Sequence, residues 1–215
     1  MKTFKTVDSN DLAFFESVMP GRVFAGEDIS PDYDHDEMTI YGSYRPEAVL
    51  QALKTEEISA VLKYCNERNI AVTPRGSGTG LCGGCVPKDG GVVLSTEKMK
   101  KVLEVDAKNM TATVEPGVLL MEFPKSLEGT GLFYPPDPGE KTATMGGNAM
   151  TNAGGMRAVR YGVTRDYVLG MEVVLANGDV LHLGGKNVKT SSGYSLIDLM
   201  VGSEGTLGFL TKLTV

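Results

Sequence analysis

Histidine, cysteine and long apolar runs are scarce in this 215-residue chain, which has two histidines and three cysteines. Cys65, Cys82 and Cys85 are odd in number and lack the spacing of a disulfide framework, which suits a reducing compartment. His35 stands alone in an acidic, turn-rich stretch from Asp28 to Glu37. With no second His or Cys near it, a solvated loop is the better reading, and no metal site is expected. No apolar stretch approaches the roughly 18 residues of a membrane span. The opening Met1-Lys-Thr-Phe-Lys-Thr-Val-Asp8 has no apolar block of the signal-peptide kind. Basic residues are outnumbered 21 to 27, and the net charge of -6 argues against a nucleic-acid groove. Internal repeats and coiled-coil heptads are missing too. What remains is a cytoplasmic globular protein, long enough for one domain or two small lobes.

Glycine is abundant instead. Of 27 glycines, three precede Gly76, sixteen run from Gly76 to Gly162 and eight follow. They lie between strand-like runs of Val, Leu and Ile, unlike the glycines of a disordered linker. Residues 1–45 read as a leader, with a short helix capped by Ser9-Asn10-Asp11 and closed by Pro20-Gly21. From Pro46 the pattern is regular. Ala48–Leu53 reads as a strand and Thr55 as the cap of a helix whose apolar positions Ile58, Val61, Leu62 and Cys65 share one face. Ile70–Pro74 is the next strand, completing a β-α-β unit. Strands are expected at 91–95, 102–105 and 111–114, then a helix over 119–127 that Pro124 must begin or kink. A hairpin should turn at Asn177-Gly178, followed by a helix at 196–201 and a last strand at 207–215. The class is α+β, with a small lobe of about 46–105 and a larger one of about 106–215.

The chemistry concentrates in Pro74-Arg75-Gly76-Ser77-Gly78-Thr79-Gly80-Leu81 and its continuation to Pro87. Glycines at alternate positions permit positive φ, and their missing Cβ atoms let a ligand touch the main chain. Successive N–H groups can then form a nest for phosphate oxygens without many lysines. A plain surface turn rarely needs seven glycines between Gly76 and Gly91. Gly78-Thr-Gly80-Leu-Cys-Gly83 matches the dinucleotide fingerprint in letters only. The glycines and Pro87 that follow leave no room for the helix that fingerprint opens. A Walker A ending is absent. Cys82 and Cys85 form a C-x-x-C pair read as small side chains packed under the loop. Further glycine clusters follow at Pro135–Gly139, Thr144–Asn148, Asn152–Gly155, Tyr161-Gly162 and Gly202–Gly208. A short helix between Met145 and Ala153 would aim free N–H groups at a ligand. Clusters so widely spread imply a ligand much longer than one phosphate, lying across both lobes.

Taken together, Pro74-Arg-Gly-Ser-Gly-Thr-Gly, Pro135-Pro-Asp-Pro-Gly, Gly146-Gly-Asn, Asn152-Ala-Gly-Gly, Tyr161-Gly-Val-Thr-Arg-Asp-Tyr167 and Gly202-Ser-Glu-Gly-Thr-Leu-Gly208 resemble the FAD-linked oxidases of the vanillyl-alcohol oxidase/p-cresol methylhydroxylase superfamily. Ser30–Glu37 and Gly184–Tyr194 resemble its branch of glycolate oxidase FAD subunits and D-lactate dehydrogenases. The resemblance implies a two-lobed FAD-binding domain of p-cresol methylhydroxylase type, with a small β-α-β lobe and a larger antiparallel-sheet lobe flanked by helices. It implies that residues 74–81 cradle the FAD diphosphate. Pro136, Asp137, Thr144, Met145, Gly146, Gly147 and Asn148 would line the flavin and ribityl chain. Asn152, Gly154, Gly155, Tyr161 and Gly162 would lie along the flavin side, with Glu204, Gly205 and Leu210 near the adenosine half. The first loop has no histidine, so FAD is expected to be non-covalent, and His182 is read as a surface residue.

In the family a substrate domain follows, carrying the residues that grip the hydroxy acid, and this chain stops where that domain would begin. The resemblance therefore implies the FAD-binding portion of a 2-hydroxy-acid dehydrogenase, with hydride passing from substrate C2 to flavin N5. No nucleophile–base pair is expected within the chain itself. Electrons would pass on to a quinone, an iron–sulfur subunit or an electron-transferring flavoprotein. The alternative is a non-catalytic flavin-binding module that assembles with another polypeptide. A cell-wall-precursor reductase on the same fold is a third reading, less favoured by the segments from Pro135 to Gly155.

Overall fold

The computed structural model describes residues 4–215. The leader folds first into α1 (Ser9–Val18), whose N-cap is Asp8 rather than the residues after it. Asp8 accepts from the amides of Asn10 and Asp11, and Asp11 returns the contact to the Asp8 amide, closing a capping box. Strand β1 (Val23–Ala25) then pairs antiparallel with β2 (Ala48–Gln51).

Helix α2 (Thr55–Arg68) follows β2 and buries Ile58, Val61 and Cys65 as the spacing predicts. Thr55 does not cap it. Lys54 holds the N-cap position without a side-chain bond, and the Thr55 hydroxyl donates instead to Glu172 Oε1, 2.6 Å away. Strand β3 (Val72–Arg75) comes next, and β4 (Val92–Ser95) inserts between β2 and β3, parallel to both. The order β1-β2-β4-β3 leaves the chain free to make a long excursion from the C-terminal end of β3 before β4 returns. Beyond the carboxyl ends of parallel strands is where open sheets of this kind place ligands.

Strands β2 and β4 are buried on both faces, whereas β3 at the edge is only partly buried. Leu50, Val92 and Leu94 pack with α1 and α2 residues such as Phe15, Ile58 and Val61. On the other face, Val49 and Val93 pack under Ile29, Phe24 and Tyr33 of the leader. The leader is thus part of the fold's packing, which its acidic composition does not suggest.

The second sheet is antiparallel throughout. It contains β5 (Val102–Asp106), β6 (Thr111–Val114), β7 (Gly170–Val174), β8 (Val180–Gly184) and β9 (Phe209–Thr214), in the order β5-β6-β9-β7-β8. The β7–β8 hairpin turns at Asn177-Gly178, where Gly178 has φ +88. The expected helix over 119–127 shrinks to a 3-10 turn at Phe123–Leu127, with Pro124 in its first turn. Leu119 instead bridges to Thr144 as an extended residue. Helices α3 (Met145–Thr151), α4 (Ala158–Tyr161) and α5 (Leu196–Met200) are short. Met145 and Ala149 of α3 sink into a core with Val114, Phe123, Met171, Val173, Leu210 and Leu213.

Helix α2 meets the second sheet at Glu172 on β7. Its carboxylate accepts from Thr55 and Thr211 on Oε1 and from Lys212 Nζ on Oε2. Burial raises the Glu172 carboxyl pKa, but these donors outweigh burial and hold it below its usual value. Ser59 of α2 also donates to the Gly178 carbonyl, 2.6 Å away. Among the described residues no helix is long and apolar enough to cross a membrane.

Candidate functional site

A cavity of about 480 Å³ opens where the excursion after β3 faces α3 and the turn before β9. One wall is the glycine loop. From Gly76 to Cys82, seven consecutive amides have no protein acceptor among the described residues. Such a run is an anion-binding nest. Gly78 needs its glycine for two reasons: φ is +78, and a Cβ built there would lie 2.0 Å from Arg75 Nη2. That Cβ points back into the protein rather than into the cavity.

The loop is braced from behind by the leader. Arg75 Nη1 donates to the His35 carbonyl (2.8 Å) and Nη2 to the Asp32 carbonyl (2.5 Å), while the guanidinium lies 5.4 Å from the centre of the Tyr33 ring. The buried carboxylate of Asp36 accepts from the Gly83 amide at 2.7 Å, and the Glu37 amide donates to the Gly80 carbonyl. The sequence marks residues 28–37 as an acidic, turn-rich stretch with His35 in a solvated loop. They are turns packed against the glycine loop, although His35 itself is exposed.

The opposite wall is α3. The expectation that its first turn offers free N–H groups is overturned. Met145 N donates to the Val118 carbonyl, Gly146 N to the Pro116 carbonyl, Gly147 N to Thr144 Oγ1 and Asn148 N to the Thr144 carbonyl. What this wall presents is a side chain. Asn148 is 3% exposed and lines the cavity, and its Nδ2 has no hydrogen-bond partner. A buried amide without an acceptor costs on the order of 1–3 kcal/mol, so an acceptor from a ligand is its natural complement. The walls approach closely enough that a Cβ on Gly76 would lie 2.5 Å from Thr144 Oγ1.

The turn before β9 closes the third side. Glu204 adopts φ +53 and donates its amide to the Met150 carbonyl, which hangs the turn from α3. Its carboxylate lies against the loop, since a Cβ on Gly84 would meet Glu204 Oε2 at 2.5 Å.

Of the residues singled out from sequence, Pro74 through Leu81, Thr144, Gly146, Gly147, Asn148, Asn152, Gly154, Glu204, Gly205 and Leu210 line this cavity. The others do not line it. Met145 is wholly buried in the core, and Gly155 packs so tightly that a Cβ would lie 1.9 Å from the Asp137 carbonyl. Pro136 is buried, and Asp137 is held below its usual pKa first by its hydrogen bond to Lys141. Tyr161 packs edge-on against Phe133, and Gly162 sits over Asp166. Pro116, Met150 and Phe209 also line the cavity and went unnoticed in the sequence. Pro116 and Phe209 come from segments distant in sequence, whereas Met150 lies within α3 between Asn148 and Asn152.

Cys82 is exposed, which corrects its reading as a residue packed under the loop, whereas Cys85 is half-buried beside Arg75. Burial raises the Cys85 thiol and pushes Cys65 up to about 12, so neither is an activated thiolate.

Residues 46–184 match the sequence profile of the FAD binding domain. The chain belongs to that family. As an FAD-binding domain it is 55% identical over 201 residues to D-lactate dehydrogenase of Anaerostipes hadrus, covering 94% of this chain and 42% of that protein. It is 48% identical over 202 residues to glycolate oxidase subunit GlcD of Bacillus subtilis (strain 168), covering 94% and 41% respectively. Among solved structures, substrate-bound p-cresol methylhydroxylase aligns with a TM-score of 0.81 at 26% identity, over 98% of this chain and 44% of that one. Alkyldihydroxyacetonephosphate synthase shares the fold, with a TM-score of 0.84 at 21% identity over 100% of this chain and 40% of the other. The chain therefore spans about two fifths of the length of the curated relatives it matches. FAD is its cofactor, and the cavity suits that group: a nest of amides fits phosphate oxygens, and the unpartnered Asn148 amide fits a polar ring or ribityl acceptor.

Proposed function

We propose that this chain is the FAD-holding part of a dehydrogenase that oxidises small 2-hydroxy acids of the D-lactate or glycolate class. The observation that carries the reading is the run of seven unengaged amides from Gly76 to Cys82, facing Asn148 across one cavity. Bound FAD supplies a hydride acceptor for the substrate's C2–H bond. The chain's own residues hold and orient it. The loop amides take the diphosphate, Asn148 with Thr144, Gly146 and Gly147 lines the flavin side, and Glu204, Gly205 and Leu210 line the adenosine side. Pro136, Asp137, Met145, Gly155, Tyr161 and Gly162 do not line the cavity and would act only through the packing around it. Attachment is non-covalent, because neither histidine lines the cavity. The two lobes, about 46–105 and 106–215, would each furnish part of the walls.

The names of the relatives support the substrate class. The residues that grip the acid would lie outside this chain. A quinone, an iron–sulfur subunit or an electron-transferring flavoprotein would then take the electrons. Three free cysteines suit a reducing cytoplasm.

The test is the absorbance spectrum of the purified chain. A flavin spectrum that survives gel filtration and is released by denaturant is expected, and a protein that takes up no FAD overturns the reading. With D-lactate or glycolate and an artificial acceptor, this chain alone should show negligible turnover. Brisk turnover would overturn the division of labour proposed here and place the acid-gripping residues within these 215.

A further inference from the structure

Among the residues that line the cavity, Arg75 is the one that is basic, beside the acids Glu140 and Glu204. It is 8% exposed, and among the described residues no carboxylate forms an ion pair with it. Its hydrogen bonds go to the neutral carbonyls of Asp32 and His35 and to Cys85 Sγ. Asp36 lies on the same side, but its two oxygens accept from the amides of Met38 and Gly83. An unpaired buried cation is costly unless something compensates it. The guanidinium sits directly beneath Gly78, where a Cβ would lie 2.0 Å from Nη2, so one layer of main chain separates it from the nest.

We infer that Arg75 is a positioning residue whose buried charge, acting through the glycine loop, balances the diphosphate of FAD while its planar fork fixes the loop to the leader. This rests on the FAD reading above. The chain is acidic, with a net charge of -6, and its global field repels a dianion. The local cation reverses that sign where the phosphates bind. Added salt should therefore weaken FAD binding instead of strengthening it.

The experiment titrates FAD into the flavin-free chain, followed by fluorescence quenching, across a series of potassium chloride concentrations. Arg75→Lys and Arg75→Gln are compared with the wild type, and the melting of each ligand-free chain is recorded. The wild-type dissociation constant should rise with salt. Arg75→Gln, which keeps donors but loses charge, should bind at least about tenfold more weakly and lose or reverse the salt response. Arg75→Lys should regain most of that loss. A wild type that binds more tightly as salt rises overturns the inference. So does an Arg75→Gln chain of unchanged affinity, or an Arg75→Lys chain as weak as Arg75→Gln. If Arg75→Gln does not fold, the sign of the wild-type response decides. A wild type that binds no FAD at all fails differently, since it overturns the flavin reading itself.

Discussion

The loop wall and the helix wall face each other across one cavity and are held in opposite ways. From Gly76 to Cys82 the main chain has no internal acceptors for its amides and is steadied from behind by Arg75, Asp36 and Glu37. Across from it, every first-turn amide of α3 is engaged and Met145 and Ala149 are rooted in the core. The loop leaves its amides unengaged beside the cavity. The helix is a structural member with one ligand-facing side chain. Affinity and stability should therefore separate according to which wall is altered.

The most severe test falls on the loop. Gly78→Val imposes a branched side chain at φ +78 and drives its Cβ into the Arg75 guanidinium. FAD should raise the melting temperature of the wild type by mass action, and this variant should lose that rise entirely while the ligand-free chain still melts cooperatively. An undiminished response in calorimetry with added FAD would break the comparison. Next comes the helix. Met145→Ala removes a wholly buried side chain and should cost about 2–5 kcal/mol. For a chain this size that is a fall of roughly 5–15 °C in melting temperature. The fall should be alike with and without FAD; a loss confined to the FAD-bound state would show that α3 acts mainly through the ligand.

The mildest effect concerns the link between helix α2 and the second sheet. Glu172 is depressed in the folded state, so its contribution is fully present above the unfolded carboxylate value near 4.5 and is lost as pH falls through its lower folded value. Denaturant melts between pH 6 and pH 3 should show this decline, and Glu172→Gln should flatten part of it. A variant with the wild-type acid profile would remove Glu172 from the account.

Much of this was legible beforehand. Alternating glycines after a strand, a single apolar face at Ile58, Val61 and Cys65, and Asn177-Gly178 between two apolar runs each encode a local geometry that needs no distant partner. What escaped depends on contacts far along the chain. Thr55 looks like a helix cap because a hydroxyl just before two glutamates usually is one, but Glu172, 117 positions away, claims its proton. The α3 amides looked free because their acceptors, Pro116 and Val118, precede the helix by nearly thirty residues and only a folded chain brings them there. The acidic leader looked solvated because composition records charge, whereas its carbonyls and Asp36 face inward on the glycine loop.

That bracing has a practical corollary for anyone who trims this protein. The stretch matching the FAD binding domain begins at residue 46, yet Asp32, His35, Asp36 and Glu37, which grip the loop's underside, all come before it. A fragment cut at the homology boundary would keep every glycine of the nest and discard the struts beneath it.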